Sequence, residues 1–111
     1  MNYPMKYRLN QVKGGLKFMK FFGTLAKKGK FYKEIDDILE LVKDNPQIGN
    51  RIQYERIPKC YIAAYGIPNL FRVEISRGWR LVYSFTGKPD QRTVYVLEIF
   101  DHKDYEKRFG Y

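Results

Sequence analysis

Arg80, in the run Trp79-Arg80-Leu81-Val82-Tyr83, is the residue whose surroundings could do chemistry. Phe71, Val73 and Ile75 alternate with Arg72 and Glu74, and Trp79, Leu81, Tyr83 and Phe85 alternate with Arg80, Val82 and Ser84, which is the period of half-buried strands. A tight turn at Ser76-Arg77-Gly78 brings Ile75 beside Trp79 and hence Glu74 opposite Arg80. A loop over Gly87 to Gln91 pairs Thr86 with Arg92 and puts Glu98 opposite Arg80 on its other side. Arg80 is therefore expected on a central strand between two carboxylates, on the face turned away from the apolar set. Such an arginine is either a cross-strand ion pair or the charged centre of a reactive site, and spacing alone leaves both readings open.

The elements that must position this strand follow from periodicity. Residues 93–100 form a third strand, largely apolar, so that three strands make an antiparallel meander. Upstream, Leu16, Met19, Phe22 and Leu25 recur every three residues in an amphipathic helix over residues 14–28, stopped by Gly29. A second helix over residues 31–44 carries the stripe Phe31, Ile35, Ile38, Leu39 and Val42 and ends at Asn45-Pro46, so the two are expected as a helical hairpin. Pro58 and Gly66 bound a short helix, Met5 to Leu9 alternates weakly as a short edge strand, and the charged tail from Asp101 makes one helical turn. Trp79 reads as core. Cys60 reads as a small buried apolar residue, since no helix start or second histidine supports an activated thiol.

With 111 residues the chain has room for one domain, and 44% hydrophobic and 17% aromatic residues can build a core. One cysteine excludes an internal disulfide framework and gives no metal cluster, as expected in a reducing cytoplasm. No signal peptide shows, and no apolar stretch approaches the roughly 20 residues of a membrane span. The charge is uneven. Residues 1–33 hold nine Lys or Arg and no acid, whereas twelve bases and twelve acids cancel from Glu34 onward, so the whole formal +9 lies in the first third. Such a block suits a polyanion or an acidic protein; a solvated helix face is the plainer alternative.

The segment from Asn69 to Phe85, a strand, a tight turn and then Trp-Arg-Leu-Val-Tyr, resembles the central strands of the RelE/ParE toxin superfamily. The ending Val96-Leu97-Glu98-Ile99-Phe100-Asp101-His102-Lys103-Asp104-Tyr105 resembles that family's last strand and tail, and the order of helical hairpin, Asn45-Pro46 and Gly49 fits as well. The resemblance implies an α+β fold, a helical hairpin packed on a small antiparallel sheet. It implies ribosome-dependent cutting of messenger RNA, held silent by a cognate antitoxin, with neither metal nor small-molecule cofactor.

On that resemblance Arg80 matches the family's strand arginine, whose guanidinium can grip two phosphate oxygens. His102, the only histidine, falls near a second catalytic position, and an imidazole can trade protons near neutral pH. Lys103 competes with it for that position. Tyr105 resembles a tail tyrosine that stacks on a base or aids proton transfer; packing on the sheet is its alternative. The pattern departs from the family's best-known member, which has lysines where this strand carries Arg72 and Glu74. Glu74 is a candidate general base and Glu55 a second one. Arg51, Arg56, Lys59, Arg72, Arg77 and Lys103 are candidates to line an RNA groove. Two other readings share the fold: a non-catalytic ParE-like poison of DNA gyrase, and a non-catalytic RNA-binding module.

Overall fold

The computed structural model describes residues 10–89 and 91–110; the edge strand expected at residues 5–9 lies outside them. In chain order the elements are β1 (Gln11–Gly14), α1 (Leu16–Gly23), α2 (Lys30–Asp44), β2 (Asn50–Arg51), α3 (Lys59–Tyr65), β3 (Phe71–Glu74), β4 (Arg80–Lys88), β5 (Gln91–Phe100) and α4 (His102–Phe109). The strands form one five-stranded sheet in the order β1-β5-β4-β3-β2. The expected meander β3-β4-β5 is antiparallel, β2 extends it antiparallel at one edge, and β1 joins β5 in parallel at the other, so the sheet is mixed. None of the described helices is long and apolar enough to cross a membrane.

The sheet buries apolar side chains on both faces. On one face Phe71, Leu81, Tyr83, Val94, Val96 and Ile99 pack with Phe18 of α1 and with Ile35 and Val42 of α2. On the other, Val82, Leu97 and Phe100 pack with Tyr61 of α3 and Tyr105 of α4. The apolar run Val94 to Leu97 of β5, with Ile99 and Phe100 beyond it, is what a strand covered on both sides requires. The face bearing Arg80 is therefore not a polar surface but a second, smaller core with charged groups set into it.

Several expectations change. The first helix starts later and ends earlier than residues 14–28, because Gln11 to Gly14 pair with Thr93 to Val96 as a strand. Its inward residue is Phe18, while Leu16 and Met19 of the expected stripe are exposed. The stripe of α2 holds, with Ile35 and Val42 buried and Phe31, Ile38 and Leu39 packed against them. Ring contacts at the short connection join the helices: Phe21 meets Phe31, and Phe22 stacks on Tyr32 with centroids 4.4 Å apart. Trp79 packs on Phe21 and Phe31 as core. Cys60 is exposed rather than buried, because Tyr61, one residue on, takes the inward position of α3. The tail is a full helix rather than one turn, capped by the Asp101 carboxylate, which accepts from the Asp104 N–H, and closed by Gly110 in the left-handed region.

Candidate active site

Arg80 opens β4, and Glu74 lies directly across from it on β3, as the turn predicts. On its other side Arg80 faces Phe100, not Glu98. The β4–β5 pairing runs one residue further along than a loop from Gly87 to Gln91 would set it, with Thr86 opposite Thr93. An irregularity between Val82 and Tyr83 then inserts Leu97 as an extra residue. Glu98 ends opposite Val82, two positions from its expected partner. The expected bracket of two carboxylates around Arg80 is thus replaced by one carboxylate and the N-terminal end of α4.

The Arg80 guanidinium, with its side chain 17% exposed, has three neighbours. Its Nε stands 3.6 Å from Glu74 Oε1, its Nη1 lies 2.8 Å from His102 Nδ1, and its carbon sits 4.7 Å over the Tyr105 ring. A guanidinium has no acceptor, so His102 must accept this hydrogen bond at Nδ1 and carry its proton at Nε2. That nitrogen is 3.3 Å from Glu106 Oε2, one helical turn on. The chain of contacts Glu74–Arg80–His102–Glu106 therefore alternates acid, base, imidazole and acid, and the His102 side chain is 59% exposed.

Tyr105 forms the floor. At 1% exposure, it stacks on Phe109 and packs edge-on against Phe100, and its hydroxyl accepts a hydrogen bond from Arg72 Nη1 at 3.1 Å. With Phe109 stacked on its ring and the Arg80 guanidinium over it, it packs on the sheet beneath Arg80 and has no open face to offer a base. Arg72 also reaches Glu74 at 4.0 Å, which links the second strand arginine to the same cluster.

Of the residues singled out in the sequence, Arg80, Glu74, His102, Tyr105 and Arg72 are brought together. Arg51 lies beside them in a groove that also holds Asn50, Ile52, Gln53, Arg56, Arg72 and Tyr105. Arg77 is exposed on the turn before β4 with φ +61°, next to Gly78, whose α-carbon side faces His102. Lys103 is exposed on α4, Lys59 is exposed at the start of α3, and Glu55 is exposed on the short turn of 3₁₀ helix Tyr54–Arg56. Two contributors escaped the sequence reading. Glu106 was signalled by its i, i+4 spacing from His102. Glu34 of α2 had no local signal; it accepts from the N–H and hydroxyl of Ser76 and so pins the turn that leads into Arg80.

Residues 16–105 match the family described as the ParE toxin of the type II toxin–antitoxin system parDE, which spans most of the chain. The chain belongs to this family and is thus a toxin of the RelE/ParE superfamily. A chain in the crystal structure of the archaeal RelE–RelB complex from Pyrococcus horikoshii OT3 is similar over 85% of this chain and 96% of that chain, at 10% identity and a TM-score of 0.42. No curated protein matches.

Proposed function

We propose that this toxin, one domain spanning the chain, cuts messenger RNA on the ribosome and is neutralised by a cognate antitoxin. The observation that carries the reading is the 2.8 Å contact between Arg80 Nη1 and His102 Nδ1, with a carboxylate at each end of the pair. An always-charged phosphate grip and the chain's one imidazole, partly open to solvent, are the two groups that 2′-hydroxyl attack needs side by side.

In this reading the scissile phosphate takes the Arg80 N–H from His102, freeing Nδ1 to take up a proton from solvent. Glu74 accepts the proton of the attacking 2′-hydroxyl as the bond from that oxygen to phosphorus forms. The bond from phosphorus to the 5′-oxygen breaks, and His102 gives that oxygen its proton. The products are a 2′,3′-cyclic phosphate and a 5′-hydroxyl, and proton exchange with water resets Glu74 and His102. Tyr105 holds the guanidinium flat from below, and Arg51, Arg72, Arg77, Lys59 and Lys103 are proposed contacts to flanking RNA. The antitoxin in this reading is acidic or apolar and covers either the Arg80 face or the basic first third of the chain.

The ParE description of the matched family favours a second reading, a non-catalytic poison of DNA gyrase in which the same cluster only seats α4. The test incubates the purified chain with a message, with and without ribosomes, maps new 5′ ends, and assays gyrase supercoiling in parallel. Cleavage that needs ribosomes and disappears in a folded Arg80→Ala variant supports the enzyme. Intact messages with inhibited supercoiling establish the gyrase reading instead.

A further inference from the structure

One buried carboxylate among the described residues lies outside the cluster around Arg80. Glu98 has a side chain only 10% exposed, set into the smaller core. A carboxylate buried there without partners would be strongly destabilising. It has partners from three elements. Tyr61 of α3 donates its hydroxyl to Oε1 at 2.5 Å, Arg108 of α4 brings Nε to 3.2 Å of Oε1 and Nη2 to 3.4 Å of Oε2, and Lys17 of α1 lies 3.9 Å from Oε2. Burial and the neighbouring carboxylate push the Tyr61 phenol well above its ordinary range, so it stays a donor, and Glu98 helps hold Arg108 charged.

Geometry connects this cluster to the candidate site. His102, Tyr105 and Arg108 are spaced by three along α4 and so share one side of it. Each is tied to a different residue on the same face of the sheet: His102 to Arg80, Tyr105 to Arg72, Arg108 to Glu98. Arg72, Val82 and Glu98 lie in one cross-strand row, and Glu74, Arg80 and Phe100 in the next. The helix therefore crosses the sheet on three attachments, and His102 and Arg108 are the outer two, about 9 Å apart along the axis at 1.5 Å per residue. The inserted Leu97 is what aims Glu98 at α4: it lets Leu97 and Glu98, neighbours in sequence, both serve the smaller core while Val96 and Ile99 serve the other.

We infer that Glu98 is a positioning residue: by seating Arg108 it fixes the roll of α4 about Tyr105 and so holds His102 Nδ1 on the Arg80 guanidinium. Its bearing on RNA cleavage rests on the function proposed above, whereas its bearing on His102 does not, and the test separates the two.

Because His102 is the only histidine of the 111 residues, its ring nitrogens can be read without assignment ambiguity in the ¹⁵N-labelled chain. The spectra are recorded at alkaline pH, where imidazole rings are neutral. The native protein is expected to show an unprotonated Nδ1 and a protonated Nε2. In Glu98→Gln the two resonances move toward each other, as for a ring released into tautomer exchange. Cleavage by that variant falls about a hundredfold in kcat, the scale expected for a misplaced reacting group, with KM within about threefold. The same substitution in a His102→Ala background changes cleavage by less than about threefold, since both act through one group. A folded Glu98→Gln protein that keeps the native tautomer overturns the inference. If the native chain cuts no RNA but Glu98→Gln still releases the tautomer, the positioning role stands and the cleavage reading falls. Should Glu98→Gln not fold, Arg108→Met keeps the Tyr61–Glu98 hydrogen bond and carries the same two tautomer outcomes.

Discussion

Replacing Arg80 by lysine separates charge from shape. The guanidinium serves three neighbours at once: Glu74 at 3.6 Å, His102 at 2.8 Å and the Tyr105 ring at 4.7 Å. Lysine keeps the charge but is a point donor on a shorter reach, so it can satisfy one phosphate oxygen where arginine grips two. One hydrogen bond to a charged group is worth about 1.5–3 kcal/mol. At about 1.36 kcal/mol per factor of ten, kcat/KM for RNA cleavage should fall roughly ten- to 150-fold. Folding should suffer somewhat less, because the lysine ammonium can still donate to His102 in place of the guanidinium. The Glu74 side chain is 60% exposed, so the ion pair contributes only about 0–1 kcal/mol, and a cation over an aromatic ring adds about 0.5–1 kcal/mol. Urea denaturation should therefore show a loss below about 2 kcal/mol. Single-turnover cleavage and denaturation, measured on the same preparations of native, Arg80→Lys and Arg80→Ala proteins, give both quantities. An Arg80→Lys protein that cleaves within about threefold of the native chain would refute a two-oxygen grip at this position, and with it the chemistry centred there.

Other outcomes test the frame around the site. The Tyr83 hydroxyl donates to the Pro46 carbonyl at 2.7 Å and accepts from the Gly49 N–H at 3.0 Å. Tyr83→Phe should cost about 1–3 kcal/mol in urea, because it strands a buried carbonyl. Burial pushes the Tyr83 phenol up from 10.0 to about 12, so the unfolded chain loses this proton first. That contribution to stability is complete below pH 10 and declines as pH climbs toward 12, and Tyr83→Phe should flatten the decline in alkaline denaturation. A Cβ on Gly49 would stand 2.8 Å from the Tyr83 hydroxyl and 3.0 Å from the Arg72 carbonyl, so Gly49→Ala should destabilise by about 1–3 kcal/mol, read by the same denaturation. Asp101→Ala removes the cap of α4 and should cost about 1 kcal/mol, visible as faster amide exchange in residues 102–105.

Much of the fold was legible because periodicity reports burial directly. The α2 stripe, the alternation through β3 and β4 and the Pro58–Gly66 frame all encode a single local rule each, and each element is found. Failures occurred where tertiary partners override local pattern. Gln11 to Gly14 carry little strand signal of their own and become a strand because the edge of β5 accepts them. Leu16 and Met19 fit a helical stripe yet point outward, since only the packing against β5 selects Phe18 as the inward residue. Cys60 departs from expectation for the same reason: cysteines are as a rule buried, but the one-residue choice between Cys60 and Tyr61 is made by the core beneath α3.

The site shows a subtler division between what a sequence encodes and what it does not. Cross-strand partners depend on every residue in the turn and on any bulge, and here both intervened: the β4–β5 pairing moved by one residue at Thr86 and by one more at Val82. Each single shift would have sent the partner to the opposite face. Two together restore the face while changing the partner, so Glu98 lies on the Arg80 side of the sheet as the alternation implied, but one row away. Face membership is therefore sturdier than pairing as a reading of sequence. That displacement also has a physical consequence, because a carboxylate directly beside Arg80 would have neutralised the guanidinium from two sides. Moved one row along, Glu98 binds Arg108 instead, and the vacated side of Arg80 is left to Phe100 and His102. The bulge thus gives one carboxylate to the seat of the helix and leaves the other, Glu74, exposed beside the arginine that it flanks.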